Sequence, residues 1–209
     1  MPAVDGRGDL SRVAAVPPEL LDDLRSRHAE PGRRYHGWRH IEALLRLLDE
    51  VRPRLACPDA VLWAVLFHDA VYDATRGDNE ERSAELLEEK TAGLLDPATL
   101  ARAARLVRAT ARHAVPEGLD GDEAADMKLF LDMDLSILGA AESVFDEYEL
   151  GVRAEYAHVP EPAFRAGRRR ILEGFLARSH LFLSDWGRER FEAAARANLA
   201  RSVAKLGPA

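Results

Sequence analysis

Cysteine, long apolar runs and net positive charge are scarce or missing in this chain of 209 residues, and each absence excludes a class of protein. The lone Cys57 excludes an internal disulfide framework and a cysteine-rich zinc site, which indicates a reduced, cytoplasmic protein. No stretch of about eighteen apolar residues is present, and residues 1–16 lack the apolar centre of a signal peptide, so we expect no membrane partner. A formal net charge of -7 disfavours nucleic acid as a partner.

The composition that is present favours helices. Charged residues make up 31% of the chain and aromatic residues only 7%, a mixture rich in Glu and Arg that is typical of helical proteins. Apolar side chains recur at helical spacing, whereas the alternation typical of strands is missing. We therefore predict an all-α fold in which residues 1–16 are flexible and residues 17–209 form one domain.

Prolines, capping residues and apolar spacing divide the chain into helices. Asp78 with Glu81 three residues later resembles a capping box for a helix through Lys90. Asp96 before Pro97 predicts a second cap, for a helix that reaches about His113. The predicted helices begin near residues 18, 38, 59, 79, 97, 127, 145, 163 and 185.

Two clusters of histidines stand out against this helical pattern. His36 and His40 are four residues apart, so on one helix both imidazoles project from the same face. His68 and Asp69 follow an apolar stretch, where an unpaired charge would be costly. A divalent cation is the natural compensation. Imidazole and carboxylate ligands suit Mn²⁺, Fe²⁺, Co²⁺, Ni²⁺, Zn²⁺ or Mg²⁺ and do not distinguish among them.

A later acid completes the set of candidate ligands. Asp132 and Asp134 lie two residues apart, so only one of them can face a given site from a helix. Asp134 lies on the apolar stripe, whereas Asp132 shares a face with Lys128 and Ser136 and can remain in water. We therefore choose Asp134 as the ligand.

The order of these residues resembles the HD-domain superfamily of metal-dependent phosphohydrolases, in which a His, a His-Asp pair and a distant Asp bind metal. The resemblance implies an all-α HD-domain helical bundle, with a metal-site core at about residues 34–140 and additional C-terminal helices at about 142–205. The chain is most similar to an uncharacterised bacterial group of predicted HD-type phosphohydrolases, through YHGWRHI, LFHDAVYD, DNEERSAELL, DLSILG and FRAGRRRILEGFL. The ligands that it implies are His40, His68, Asp69 and Asp134.

The first of these segments also resembles the first motif of the cyclic nucleotide phosphodiesterases. In that family the first His is the general acid on the leaving oxygen and the second binds metal. Carried over, His36 becomes the acid, beside the catalytic Asp69, although His36 could instead orient groups around the metal. Tyr72 stands where that family has another His, and its purine-clamping glutamine cannot be located, so a cyclic nucleotide substrate does not follow.

Further residues are candidates, each with an ordinary alternative. His113 could bind a second metal or contact phosphate, but a protonated His at a helix end also stabilises the helix dipole. Asp73 and Glu80 could hold ligands or waters, although acids in a loop or a first helical turn are more often solvent-facing caps. The candidate phosphate contacts are Arg39, Arg169, Arg33 and Arg34.

These expectations point to a hydrolase that cleaves a phosphomonoester or phosphodiester of a nucleotide or related small metabolite. One or two divalent metals would lower the pKa of bound water towards ~7, and the resulting hydroxide would attack phosphorus. The alternatives are a non-catalytic HD-type module that binds metal or nucleotide, and a helical interaction protein without metal. A homo-oligomer also stays open, because the C-terminal helices could pack on the domain or on a second subunit.

Overall fold

This computed structural model describes residues 16–207. They fold into nine α-helices, and no strand occurs among them. The predicted all-α class is therefore confirmed. No helix in this range is both long and apolar enough to cross a membrane. The segment 1–16, predicted to be flexible, lies outside the described residues except for Val16, which is buried. The helices are α1 (Pro18–His28), α2 (Trp38–Val51), α3 (Pro58–Phe67), α4 (Asn79–Thr91), α5 (Pro97–Ala109), α6 (Gly121–Asp134), α7 (Glu142–Glu155), α8 (Glu161–Leu176) and α9 (Asp185–Leu206), with 3-10 turns at Arg52–Arg54 and Leu135–Gly139.

Most predicted helix starts lie within about three residues of the observed ones, but α6 begins at Gly121 rather than near residue 127. The Asp96 carboxylate accepts two backbone N–H bonds, both of 3.0 Å, in the first turn of α5, as predicted. The predicted capping box at Asp78 and Glu81 does not form, because both carboxylates pair with arginines. α5 ends at Ala109 rather than near His113, whose φ of 45° does not fit an α-helix.

The central helix of the core is α3. All of residues 60–67 are buried, and a helix that is apolar on every side is stable only when other elements surround it. α2, α4, α5 and α6 pack against it. The C-terminal end of α3 is therefore the point where the chain leaves the core, and His68 and Asp69 follow directly.

Two buried aspartates of α6 hold the starts of other helices. Asp126 accepts bonds of 2.9 and 2.8 Å from two backbone N–H groups just before α3. Asp132 accepts bonds from the backbone N–H groups of Leu183 and Ser184, both at 2.7 Å, and from the Ser184 hydroxyl. The expectation that Asp132 remains in water is wrong, because the residues that begin α9 cover its face and leave it 0% exposed.

Asp132→Ala is expected to lower the free energy of unfolding by about 3 kcal/mol, because it leaves buried N–H groups without an acceptor. Denaturant unfolding measures this loss. Asp122→Ala, at an exposed position in the first turn of the same helix, is the control and should cost less than about 1 kcal/mol. Equal losses in the two variants would contradict the structural role of Asp132.

The C-terminal helices pack on the domain itself. α9 lies against α6, α8 and the 3-10 turn Leu135–Gly139. The approach is close, since a Cβ atom added at Gly139 would lie 2.7 Å from Phe191. The Asn198 amide donates two bonds of 2.9 Å to carbonyl groups at the end of this turn. α9 therefore fixes the chain immediately after Asp134.

Candidate metal centre

Four side chains from three parts of the fold meet where α3 leaves the core. His40 comes from the first turn of α2, His68 and Asp69 follow α3, and Asp134 ends α6. The Nε2 atoms of His40 and His68 lie 3.1 Å apart, and Asp69 Oδ2 lies 3.1 Å from His68 Nε2. Asp134 Oδ1 lies 3.1 Å from His40 Nε2 and 3.5 Å from His68 Nε2. The structure thus brings together all four predicted ligands, which we call the His-Asp cluster.

The cluster has a buried side and an open side. Ligand atoms of His40, His68 and Asp69 all lie within 4.8 Å of one another, close enough to share one ion. The two histidines are only 7% and 2% exposed. The Asp69 and Asp134 side chains are more accessible, at 19% and 12%. The carboxylates therefore border the solvent and the imidazoles border the core.

The second nitrogen of each histidine is fixed by a hydrogen bond. His68 Nδ1 donates to the Val65 carbonyl at 3.0 Å, so in the neutral ring the Nε2 lone pair faces the cluster. His40 Nδ1 lies 3.2 Å from the Tyr35 hydroxyl. Outer hydrogen bonds of this kind orient histidines that bind metals.

The charges of the cluster depend on one another. Burial disfavours the charged form of His68, but the carboxylates of Asp69 and Asp134 outweigh it and raise the pKa of His68 well above its usual value. Burial also opposes ionisation of both acids, yet His68 holds the pKa of Asp69 and of Asp134 below the usual range. The two carboxylates therefore need positive charge beside them, from a proton or from a cation. Two imidazole nitrogens and two carboxylates fit a divalent metal.

His113 turns towards the cluster instead of ending a helix. Its Nε2 lies 2.9 Å from Asp134 Oδ2, so the two oxygens of Asp134 bond His113 and the histidine pair separately. The positive φ of His113 is a conformation that a non-glycine residue adopts at a cost. Arg178 Nη1 helps to hold it by donating to the His113 carbonyl at 3.3 Å. The alternative that His113 only stabilises the dipole at the end of a helix is therefore wrong. Its binding to a second metal or to phosphate stays a prediction.

The expectation that His36 and His40 share a helix face is wrong, because His36 precedes α2. Its Nδ1 lies 2.6 Å from Glu155 Oε2, and its ring stacks on Tyr72 with centroids 4.2 Å apart. Burial alone would lower the pKa of His36, but the carboxylates of Asp69 and Glu155 raise it. A raised pKa suits a group that holds a proton for donation.

Glu155, at the end of α7, is the site residue that the sequence patterns missed. Its Oε1 accepts backbone N–H bonds of 2.6, 2.7 and 3.0 Å from residues 34–36, and its Oε2 accepts the Tyr72 hydroxyl at 2.9 Å. Burial opposes its charge, but the bonds with His36 and this backbone lower the pKa of Glu155 to about 2. A signal was present, since Glu155 follows Val152 by three residues on the apolar face of α7, where an acid needs a partner.

The other two candidate acids, Asp73 and Glu80, lie in different surroundings. Glu80 lies on the wall of the cleft beside the cluster. Asp73 is exposed, and its carboxylate accepts bonds of 2.9 and 2.7 Å from the backbone and hydroxyl of Thr75. Asp73 therefore shapes its own loop and does not reach the cluster.

None of the four predicted phosphate contacts lines the cleft. Arg39 and Arg34 are exposed, and Arg169 donates to the carbonyl of Gly207. Only 2% of the Arg33 side chain is exposed, and its guanidinium donates to the carbonyls of residues 36, 69 and 70. Arg33 therefore ties the two histidine segments together.

A cleft of about 840 Å³ opens from the cluster and is bordered by α7, α8 and residues 110–113. This volume lies within the range of small-molecule sites. Arg168 is held by Glu149. The arginines on the cleft wall are Arg112, Arg168, Arg170 and Arg178.

Comparisons of the chain with models of protein families, with curated proteins and with solved structures give no match. The resemblance to the HD-domain superfamily therefore stays a prediction. What the site can do must be argued from its own geometry.

Proposed function

We propose that this protein is an HD-type, divalent-metal-dependent phosphohydrolase that cleaves a phosphomonoester or phosphodiester of a nucleotide or related small metabolite. The observation that carries the proposal is the convergence of His40, His68, Asp69 and Asp134 at one end of a cleft. A structural metal site is closed by its ligands, whereas catalytic sites keep an open position. Here the two carboxylates border the cleft, which favours the catalytic alternative.

A bound divalent cation would supply Lewis acidity towards water and towards a phosphoryl oxygen. The remaining tasks fall to groups of the chain. His36, engaged at Nδ1 by Glu155, has Nε2 left to deliver a proton to the leaving oxygen. Arg112 and Arg178 lie on the cleft wall and would supply positive charge for a phosphoryl group. His113 keeps the Asp134 carboxylate oriented through Oδ2.

The size and charge of the protein support a small substrate. The cleft volume suits a metabolite, and a net charge of -7 works against attraction of a polynucleotide. A cytoplasmic location belongs to the same proposal, because a single free cysteine fits a reducing compartment.

Metal removal and reloading test the proposal. We expect protein stripped by a chelator to be inactive on a panel of phosphomonoesters and phosphodiesters, and at least one of Mn²⁺, Mg²⁺, Co²⁺, Ni²⁺, Zn²⁺ and Fe²⁺ to restore turnover. Bound metal without turnover across the panel would favour the alternative, a non-catalytic module for metal or nucleotide. Failure to bind any of these ions would contradict the site itself.

A further inference from the structure

Three of the residues that line the cleft are tyrosines, Tyr35, Tyr148 and Tyr156. The Tyr35 hydroxyl lies 3.2 Å from Nδ1 of His40, a ligand of the His-Asp cluster. The ring of Tyr148 packs edge-on against that of Tyr35, with centroids 4.5 Å apart. Tyr35 and Tyr148 therefore lie side by side next to the cluster, and neither hydroxyl takes part in the proposed chemistry.

The metal site fixes the direction of the hydrogen bond between Tyr35 and His40. A neutral imidazole has one nitrogen that carries a proton and one that carries a lone pair. His40 faces the other ligands of the cluster through Nε2. Binding of a divalent cation through the Nε2 lone pair leaves the proton of the ring on Nδ1. His40 Nδ1 then donates to Tyr35, and the Tyr35 hydroxyl oxygen accepts.

Arg168 fixes the role of the Tyr148 hydroxyl in the same way. A guanidinium has donors only, and Arg168 Nη2 donates to the Tyr148 hydroxyl oxygen at 2.8 Å. Glu149 pairs with this guanidinium, and only 9% of the Arg168 side chain is exposed. The Tyr148 hydroxyl is therefore also an acceptor, and its donor is a buried positive charge that is held in place.

Each of these two phenols keeps one proton that no group of the fold accepts. Among residues 16–207, the Tyr35 hydroxyl bonds only His40, and the Tyr148 hydroxyl bonds only Arg168. A phenol remains protonated at neutral pH, and an N–H bond to its oxygen polarises its O–H group. The two tyrosines therefore offer two strong donors, which suit an acceptor that carries negative charge.

The third tyrosine of the cleft is different and supplies a comparison. The Tyr156 hydroxyl bonds the hydroxyl of Tyr72, and the Tyr72 hydroxyl donates its own proton to Glu155 at 2.9 Å. Tyr156 must therefore donate its proton to Tyr72. Among the tyrosines that line the cleft, an O–H group without an acceptor in the described part of the chain is confined to the two beside the cluster.

We infer that Tyr35 and Tyr148 form a paired donor site for the phosphoryl group, in which each hydroxyl donates to a non-bridging oxygen. This inference rests on the proposed hydrolase function. Negative charge is spread over these oxygens during phosphoryl transfer, and donors that are already in place where charge develops lower the barrier. The pair thus takes the task that was predicted for four arginines, none of which lines the cleft.

Phosphate binding tests the pair without turnover. The protein is loaded with the divalent ion that it binds most tightly, elemental analysis verifies full occupancy, and calorimetry measures the affinity for inorganic phosphate. We expect Tyr35→Phe and Tyr148→Phe each to bind phosphate about tenfold more weakly than the wild type, because each loses a bond to a charged acceptor. With metal saturating, kcat on a phosphate ester should fall about a hundredfold in each variant.

Metal affinity and a matched variant separate donation to phosphate from support of the fold. Tyr35→Phe should also weaken metal binding, since it removes the outer hydrogen bond of His40. Tyr148→Phe should bind metal as the wild type does, because the Tyr148 hydroxyl bonds none of the four ligands. Tyr156→Phe removes a hydroxyl from the same cleft and keeps the ring, so it is the control and should bind phosphate with unchanged affinity.

The outcomes distinguish the pair from the hydrolase itself. Turnover by the wild type, with phosphate affinity unchanged in Tyr35→Phe and Tyr148→Phe, overturns the pair and leaves the hydrolase standing. A loss confined to one of these variants, an equal loss in Tyr156→Phe, or absence of phosphate binding by the wild type also overturns the pair. Absence of turnover, with phosphate binding that both variants weaken, keeps the pair and contradicts the hydrolase.

Discussion

His68→Ala is expected to remove the bound metal and the turnover together. His68 is 2% exposed, and its Nε2 lies within 3.5 Å of ligand atoms from His40, Asp69 and Asp134. Its loss therefore opens the ligand set on the side that borders the core. Elemental analysis after dialysis should fall from a full complement of metal to background, and hydrolysis should fall to the uncatalysed level.

Thermal unfolding supplies a second measurement that does not depend on turnover. Metal should raise the Tm of the wild type, because a ligand stabilises the folded state that binds it, and it should not change the Tm of the variant. His180→Ala, at an exposed histidine outside the cleft, is the matched control and should behave as the wild type. If His68→Ala does not fold, Asp69→Asn tests the same ligand set with little change in volume. Retention of metal in both variants would contradict the site.

The meeting of the four side chains of the His-Asp cluster could be predicted from the sequence because polarity and apolar patterning conflict at their positions. His40 and Asp134 lie on apolar helix faces and His68 ends an apolar helix, so each needs a partner that is not solvent. The same reasoning failed at Asp132. Its own helix places polar residues beside it, and the segment that covers it begins 51 residues later in the chain.

Contacts between residues far apart in the chain could not be predicted from the sequence. Glu155 lies 119 residues from His36, so no helical or strand spacing connects them. The expected projection of His36 and His40 from one helix face is wrong because α2 begins at Trp38, as predicted, and His36 precedes it. Instead the backbone of residues 34–36 is bound by Glu155, and only the tertiary structure shows that an acid of α7 sets the position of the predicted general acid.

Glu155→Ala is expected to leave the metal in place but to reduce turnover of an alkyl phosphate by about a hundredfold to a thousandfold, because His36 loses its partner. The variant should also lose about 3 kcal/mol of stability, since several buried donors lose their acceptor.

The stability that Glu155 contributes to the wild type should fall at acid pH. The pKa of Glu155 falls from 4.5 to about 2 on folding, so its contribution is present above pH 4.5 and is lost as the pH falls towards 2.

Glu155→Gln separates a positioning role from a purely structural one. The amide oxygen can still accept the backbone N–H bonds, so the loop should hold, but it no longer stabilises a protonated His36. We expect the loss of rate to be large on an alkyl phosphate and small on 4-nitrophenyl phosphate, whose leaving group needs little protonation.

His36→Ala should show the same dependence on the leaving group, because it removes the proton donor that Glu155 supports. The double variant should then be no slower than His36→Ala alone, since residues that act as a unit are not additive. Losses that add in the double variant would show that Glu155 serves only to hold the loop. Equal losses of His36→Ala on both esters would assign the protonation of the leaving oxygen to a group other than His36.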